Sequence, residues 1–182
     1  KASTFELHTG LRKAVSDLFT GELTVNLKAL DAATSKRVAV ALSALSVMAS
    51  WKPTAFGKKG AEKKSETTQP IRWLSALTPK ALAALVQQGK LLGEANNLVR
   101  TLADLPSNEL NPLSYRNRAK DFAKTHKLGF EFWSIAELEK KKAGAFLAVN
   151  RADPKSEAGI AIIKYSPKRK TKNTPVLALV GK

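Results

Sequence analysis

Apolar and polar positions along this chain change period several times, and each change marks an element. Leu23, Val25 and Leu27 alternate with Thr24, Asn26 and Lys28, the period of a half-buried strand. From about Ser35 the period lengthens: Val38, Leu42, Leu45 and Ala49 recur at helical spacing. That helix stops near Trp51, because Pro53 lacks an amide donor and crowds the residue before it. Lys58 to Gln69 (KKGAEKKSETTQ) is polar and aperiodic, and reads as an exposed, mobile hairpin or linker. The next helix has a defined start. Thr78 can cap it and Pro79 suits its first position, and a helix-compatible run extends from Ala81 to Leu105. Leu82, Leu85, Val86, Gly89, Leu92, Glu94 and Leu98 trace more than one face of it. At 1.5 Å per residue such a helix spans roughly 35 Å, a length suited to a connector between two domains. Pro106 ends it.

Asn108 to Pro112 (NELNP) forms a turn, with Asn111 as cap and Pro112 opening a helix that carries Tyr115, Ala119, Phe122 and Ala123 and runs to about His126. Leu128 to Trp133 reads as a strand. Ser134 and Glu137 form a capping box for a short helix that ends at the lysine run. Gly144 to Val149 is a small, apolar segment, Gly159 to Tyr165 is a strand, and Thr171 to Pro175 is a turn. Pro175 to Val180 is almost wholly apolar and is expected to be a buried strand. Apolar strands alternating with helices indicate an α/β fold with a mostly parallel sheet covered on both faces. The final strand reaches Gly181 and Lys182 with no crossover helix after it, so the expectation is an incomplete α/β unit.

Composition adds limits to this reading. The 182 residues are 43% hydrophobic and 25% charged, ordinary values for a chain with a real core. No apolar run approaches the ~18 residues of a membrane span, and Val38 to Trp51 is broken by Ser43, Ser46 and Ser50. Residues 1–20 lack a signal-peptide pattern, and there is no cysteine for a disulfide or thiolate site. A cytoplasmic setting is the expectation. Charge is the unusual feature. Lys and Arg number 31 against 15 Asp and Glu, a formal +16, which favours polyanions. The basic residues are scattered in clusters at Lys58-Lys59, Lys63-Lys64, Lys140 to Lys142 and Lys164 to Lys172, the usual distribution of solvated loops and helix ends.

Candidate chemistry is sparse. His8 and His126 lie far apart in the chain, and His126 reads as a surface residue at a helix end. Metalloprotease, nucleophile-elbow and Walker motifs are absent from the sequence. The glycines at 57 and 60, and at 89 and 93, read as turn and helix-packing residues. Asp104, Glu109 and Asp153 are candidate acids without a paired carboxylate, and Asp104 reads as an ion-pair partner of Arg100 one helical turn earlier. Lys182 follows VLALVG. At the end of a buried strand its amine would have a depressed pKa, free to coordinate a metal or move protons; the alternative is an ordinary solvated lysine.

Three stretches resemble a known family. Asn97 to Pro112 (NLVRTLADLPSNELNP) closely resembles the junction between linker and catalytic domain in the leucyl aminopeptidases, the hexameric two-metal cytosol aminopeptidases; Asp104 stands where that family usually has asparagine. Lys142 to Val149 (KAGAFLAV) is similar to its glycine-alanine-leucine-alanine-valine segment. Pro175 to Lys182 (PVLALVGK) resembles the strand bearing its first metal ligand. The first 75 residues resemble the latter part of the family's macro-like amino-terminal domain. After Val149 the chain departs from the pattern, with Asn150-Arg151-Ala152-Asp153-Pro154 in place of a glycine-rich loop.

The resemblance implies the end of a macro-like domain over residues 1–76, a linker helix over 77–105, and the first strands of a mixed, mostly parallel catalytic-domain sheet over 106–182. It further implies a metallo-aminopeptidase acting on peptide substrates as a homo-hexamer, with two divalent ions (Mn, Zn or Mg), and Lys182 as ligand to one of them. The remaining metal-binding carboxylates, a second lysine and a bicarbonate-holding arginine follow that strand in the family. The chain therefore needs a C-terminal catalytic portion as partner, and alone it is expected to be inactive. Two other readings stand beside this one: a basic module that binds nucleic acid, and a structural subunit without catalysis. Trp51, Trp73 and Trp133 occupy packing positions, not a stacking array, which ranks nucleic-acid binding second.

Overall fold

A computed structural model describes residues 3–18, 23–53, 70–153, 157–167, 169, 171 and 174–181. The polar stretch expected as a mobile hairpin, Lys58 to Gln69, and the metal-ligand candidate Lys182 lie outside the described residues. The chain divides into two units, Lys1–Leu105 and Pro106–Lys182.

The first unit is built around one helix. α1 spans Thr4–Leu18, β1 Leu23–Asn26, α2 Ala32–Ala49, β2 Ile71–Leu74 and α3 Pro79–Asp104. β1 and β2 pair in parallel, with Leu23 opposite Ile71 and Asn26 opposite Leu74. A parallel pair needs a crossover, and α2 supplies it. Asp31 caps α2, its carboxylate accepting from the Ala33 and Thr34 amides, so the helix starts three residues earlier than periodicity alone indicates. Val38, Ala39, Leu42 and Leu45 form the core with Val15 of α1 and Leu27, the residue after β1. The Ser35 hydroxyl donates to the Leu27 carbonyl at 3.1 Å and fastens α2 to the end of β1.

The far side of α2 is made of small residues, and α3 comes close there. A β-carbon on Gly89 would stand 2.4 Å from the Val40 carbonyl oxygen and 2.6 Å from the Ser43 β-carbon; one on Gly93 would stand 2.6 Å from the Val47 β-carbon. Alanine and serine on α2 facing glycine on α3 let two backbones approach where larger side chains would clash. α1 carries no expected element in the sequence reading. Its Leu7, Leu11 and Val15, spaced four apart, make one apolar stripe against the core.

In the second unit, α4 spans Pro112–Thr125, β3 Gly129–Ser134, α5 Ile135–Lys140, α6 Gly144–Asn150 and β4 Gly159–Lys164. Asn111 and Ser114 close a capping box on α4, and Ser134 and Glu137 close one on α5. β3 and β4 pair antiparallel, Gly129 opposite Lys164 and Ser134 opposite Gly159. This pair is antiparallel where the expectation was a mixed, mostly parallel sheet, and it agrees with the mixed part of that reading. Apolar content marks a segment as strand-forming, while direction depends on the partner it finds, and here that partner is a neighbouring antiparallel strand. Gly144 to Val149, small and apolar, winds into α6.

The buried strand expected at Pro175 to Val180 also differs. Among the described residues, 174–181 have no ladder partner, and Val176, Leu177, Leu179 and Val180 are between 82% and 97% exposed. A strand exists only through hydrogen bonds to a neighbour, which an apolar run does not itself specify. Among the described residues no helix is long and apolar enough to cross a membrane.

Candidate functional site

The residues that open the family-like motif hold one helix end. The last carbonyls of any helix lack intrahelical partners. At the end of α2 they are met by side chains of α3: the Asn97 amide donates to the Val47 carbonyl at 2.7 Å, and the Arg100 guanidinium donates to the Met48 carbonyl at 3.1 Å. The same guanidinium lies 5.5 Å from the centre of the Trp51 ring, close enough for a cation–π contact. The Trp51 indole N–H donates to the Thr101 hydroxyl at 3.0 Å, which donates in turn to the Asn97 carbonyl at 2.8 Å. The Arg100 guanidinium thus meets both a backbone carbonyl and an aromatic ring. The side-chain oxygen of Asn97 is buried without a partner among the described residues.

After Pro106 the motif continues as a turn in the second unit. The amides of Glu109 and Leu110 donate to the Pro106 carbonyl, and the Ser114 hydroxyl donates to the Glu109 carbonyl at 2.7 Å. Glu109 is exposed. Its carboxylate, Asp104 and Asp153 are not brought together: among the described residues no three of His, Asp and Glu gather at metal-binding distance. His8 sits half-buried in α1. His126 caps α4, its ring centre 4.3 Å from that of Phe122, as expected of a helix-end residue.

A polar cluster on β3 and β4 escaped the sequence reading. Glu131 and Trp133 are two apart on β3 and so share a face; Ile162, opposite Glu131, and Lys164 belong to that face too. The Glu131 carboxylate accepts from the Trp133 indole N–H at 2.6 Å and from the Lys164 ammonium, and Lys141 stands 4.2 Å from the centre of the Trp133 ring. The spacing of two was the available signal; the cross-strand lysine depended on a register the sequence does not print. On the other face Arg116 pairs with Glu157 at 2.6 Å and lies over the Phe132 ring. Beside it, Asn117, Lys120, Asp121, Lys124, Leu128 and Phe130 line a shallow cleft of about 680 Å³.

The Lys164 ammonium, then the Trp133 N–H, hold the Glu131 carboxyl below the usual glutamate range. Its folded pKa is lowered, so its stabilisation is present above the ordinary glutamate pKa and is lost as pH falls through the lowered value. Urea unfolding followed across pH is expected to show wild type more stable than Glu131→Gln at neutral pH, the two converging in acid. Parallel curves would remove this role. The group is exposed, so the difference is modest.

With this geometry in hand, comparison with known proteins is informative. Residues 97–182 match the profile of the cytosol aminopeptidase family, catalytic domain. A probable cytosol aminopeptidase of Koribacter versatilis is 34% identical over 101 residues, covering 56% of this chain and 19% of that protein. One of Cupriavidus pinatubonensis is 33% identical over 128 residues, covering 70% and 24%. Among solved structures, the bottromycin maturation enzyme BotP in complex with Mn superposes with a TM-score of 0.55 at 20% identity, covering 77% of this chain and 29% of that one, a likeness of fold. The chain spans about a fifth to a quarter of the length of these curated relatives. Through residues 97–182, the chain belongs to the cytosol aminopeptidase family, the leucyl aminopeptidases.

Proposed function

We propose that this chain is one portion of a leucyl-aminopeptidase-type enzyme that removes N-terminal residues from peptides. The observation that carries the reading is the match of residues 97–182 to the family's catalytic domain. In this proposal residues 1–76 are part of a macro-like domain, 77–105 the linker helix, and 106–182 the start of the catalytic domain. The enzyme is cytoplasmic and homo-hexameric. It uses two divalent ions drawn from manganese, zinc and magnesium, and the manganese complex of BotP agrees with that choice. When bound, such ions lower the pKa of a water and polarise a carbonyl. The described residues do not themselves form a cradle for them. The proposal therefore puts the ligands on Lys182 and on the remaining portion of the enzyme, and the chain alone is inactive.

The test compares two products: this chain, and the chain extended by its downstream coding sequence. Both are assayed on leucine p-nitroanilide with manganese, zinc or magnesium. Hydrolysis by the longer product alone is expected. Absence of hydrolysis from the longer product with all three metals would overturn the reading.

A second reading, a basic DNA-binding or structural subunit related to the aminopeptidases, draws on the excess of 31 basic over 15 acidic residues. Binding to duplex DNA that weakens steeply with salt supports it, and no binding at ~50 mM salt removes it.

A further inference from the structure

The cleft beside Arg116 is the corner where α4 turns back into β3. Lys127 takes a left-handed conformation there, φ 55°, and its amide and that of Leu128 donate to the Lys124 and Ala123 carbonyls at 3.2 and 2.8 Å. β3 therefore returns beside α4. Arg116, Lys120 and Lys124, four apart, make one row along the helix. Leu128, Phe130 and Phe132, two apart, make a facing row along β3 and the residue before it. Four helical residues rise about 6.0 Å and two strand residues about 6.7 Å, so the two rows stay in step.

The first rung shows what such a row holds. Arg116 lies 4.7 Å from the centre of the Phe132 ring, and the Glu157 carboxylate accepts from its guanidinium at 2.6 Å. A carboxylate on a cation above an apolar ring is thus already built there. Lys120 and Lys124 have no ion-pair partner among the described residues, and they line the cleft with Leu128 and Phe130. We propose that this groove takes an extended acidic peptide in which carboxylates alternate with apolar side chains. Alternate residues of an extended chain stand about 6.7 Å apart, so successive carboxylates reach Lys120 and Lys124. The side chains between them meet Phe130 and Leu128.

Hydrogen bonding favours a peptide over a nucleic acid. The chain's +16 attracts either. Asp121 and Asn117 also line the groove, however. The Asp121 carboxylate repels a run of phosphates, yet it can accept from a peptide N–H, a donor that a sugar–phosphate backbone lacks. The Asn117 amide can likewise donate to a peptide carbonyl. Lys120 and Lys124 are exposed, so binding is weak, on the order of 100 µM, and salt weakens it further.

The test follows the fluorescence anisotropy of a labelled peptide of alternating glutamate and leucine, titrated with the 182-residue chain to about 1 mM at ~50 mM salt. Saturable binding is expected. Lys120→Glu with Lys124→Glu should weaken it ~10-fold or more, with circular dichroism unchanged. Lys80→Glu with Lys90→Glu alters the net charge equally on α3, away from the groove, and should stay within about two-fold of wild type. Glu157→Gln releases the Arg116 rung for a further carboxylate and should tighten binding several-fold. No binding up to about 1 mM would overturn the proposal, as would equal losses in the two charge variants or an affinity indifferent to Glu157→Gln. So would equal binding by a peptide of the same composition with its glutamates and leucines in separate blocks. A single-stranded oligothymidylate that binds more tightly than the peptide, and through Lys120 and Lys124, would assign the groove to nucleic acid instead. None of these outcomes depends on peptidase activity.

Discussion

Replacing Gly89 and Gly93 together with leucine is expected to abolish cooperative unfolding of residues 3–105. A β-carbon at either position meets α2 within 2.6 Å, and at Gly89 the nearest atom is a backbone oxygen that no side-chain rotation can move. Overpacking costs about 1–3 kcal/mol per site, and more where backbone must shift. Two such sites on one contact remove much of the ~5–15 kcal/mol a domain has in hand. The gain in helix propensity on replacing glycine, up to ~1 kcal/mol each, does not offset this. Trp51 and Trp73 report on the unit, since Trp73 packs on its core and Trp51 bonds to Thr101. Their emission is expected to shift to that of solvated indole, with the helical circular dichroism reduced. Gly10 is the control: a β-carbon there meets no atom within 4 Å, so Gly10→Ala should hold or raise stability. A double variant that melts within a few degrees of wild type would show that the helices do not need this close approach.

The second large effect concerns Lys182 in the longer enzyme that we propose. Lysine can ligate a metal only as the neutral amine, because the ammonium has no free lone pair. Lys182→Ala is expected to lower kcat/KM on leucine p-nitroanilide by about 10³-fold, equivalent to ~4 kcal/mol, and to reduce the bound metal by one equivalent per subunit. Lys182→Arg should not rescue either quantity, since the guanidinium stays protonated. Retention of activity within about three-fold and of full metal content would remove Lys182 from the ligand set. Family membership would stand, because it rests on residues 97–182 as a whole.

Where local chemistry sets an element, the sequence is a good guide. Thr78 and Pro79, Asn111 and Pro112, and Ser134 with Glu137 start α3, α4 and α5 at the residues the capping chemistry indicates. Each of these signals lies within four residues. Features that depend on remote partners were less legible. The antiparallel register of β3 on β4 joins residues about 30 apart, and Leu23 pairs with Ile71 across α2. The exposure of Val176 to Val180 depends on which neighbours a strand meets, not on its own composition. At the site level, Asn97 and Arg100 could be singled out by resemblance, but their role as caps for the Val47 and Met48 carbonyls could not. Nothing near Val47 in the chain points forward to them.

That cap also has a consequence for synthesis. The carbonyls at the end of α2 and the side chains that satisfy them are fifty residues or so apart, as are Trp51 and Thr101. At ~5–20 residues per second, a ribosome takes about 3 to 10 s to make that interval. For that time α2, with its run of alanine, valine and leucine, has left the exit tunnel without the helix that covers it. Until Asn97 to Thr101 emerge, those carbonyls and the apolar face of α2 have only water and the growing chain to meet them.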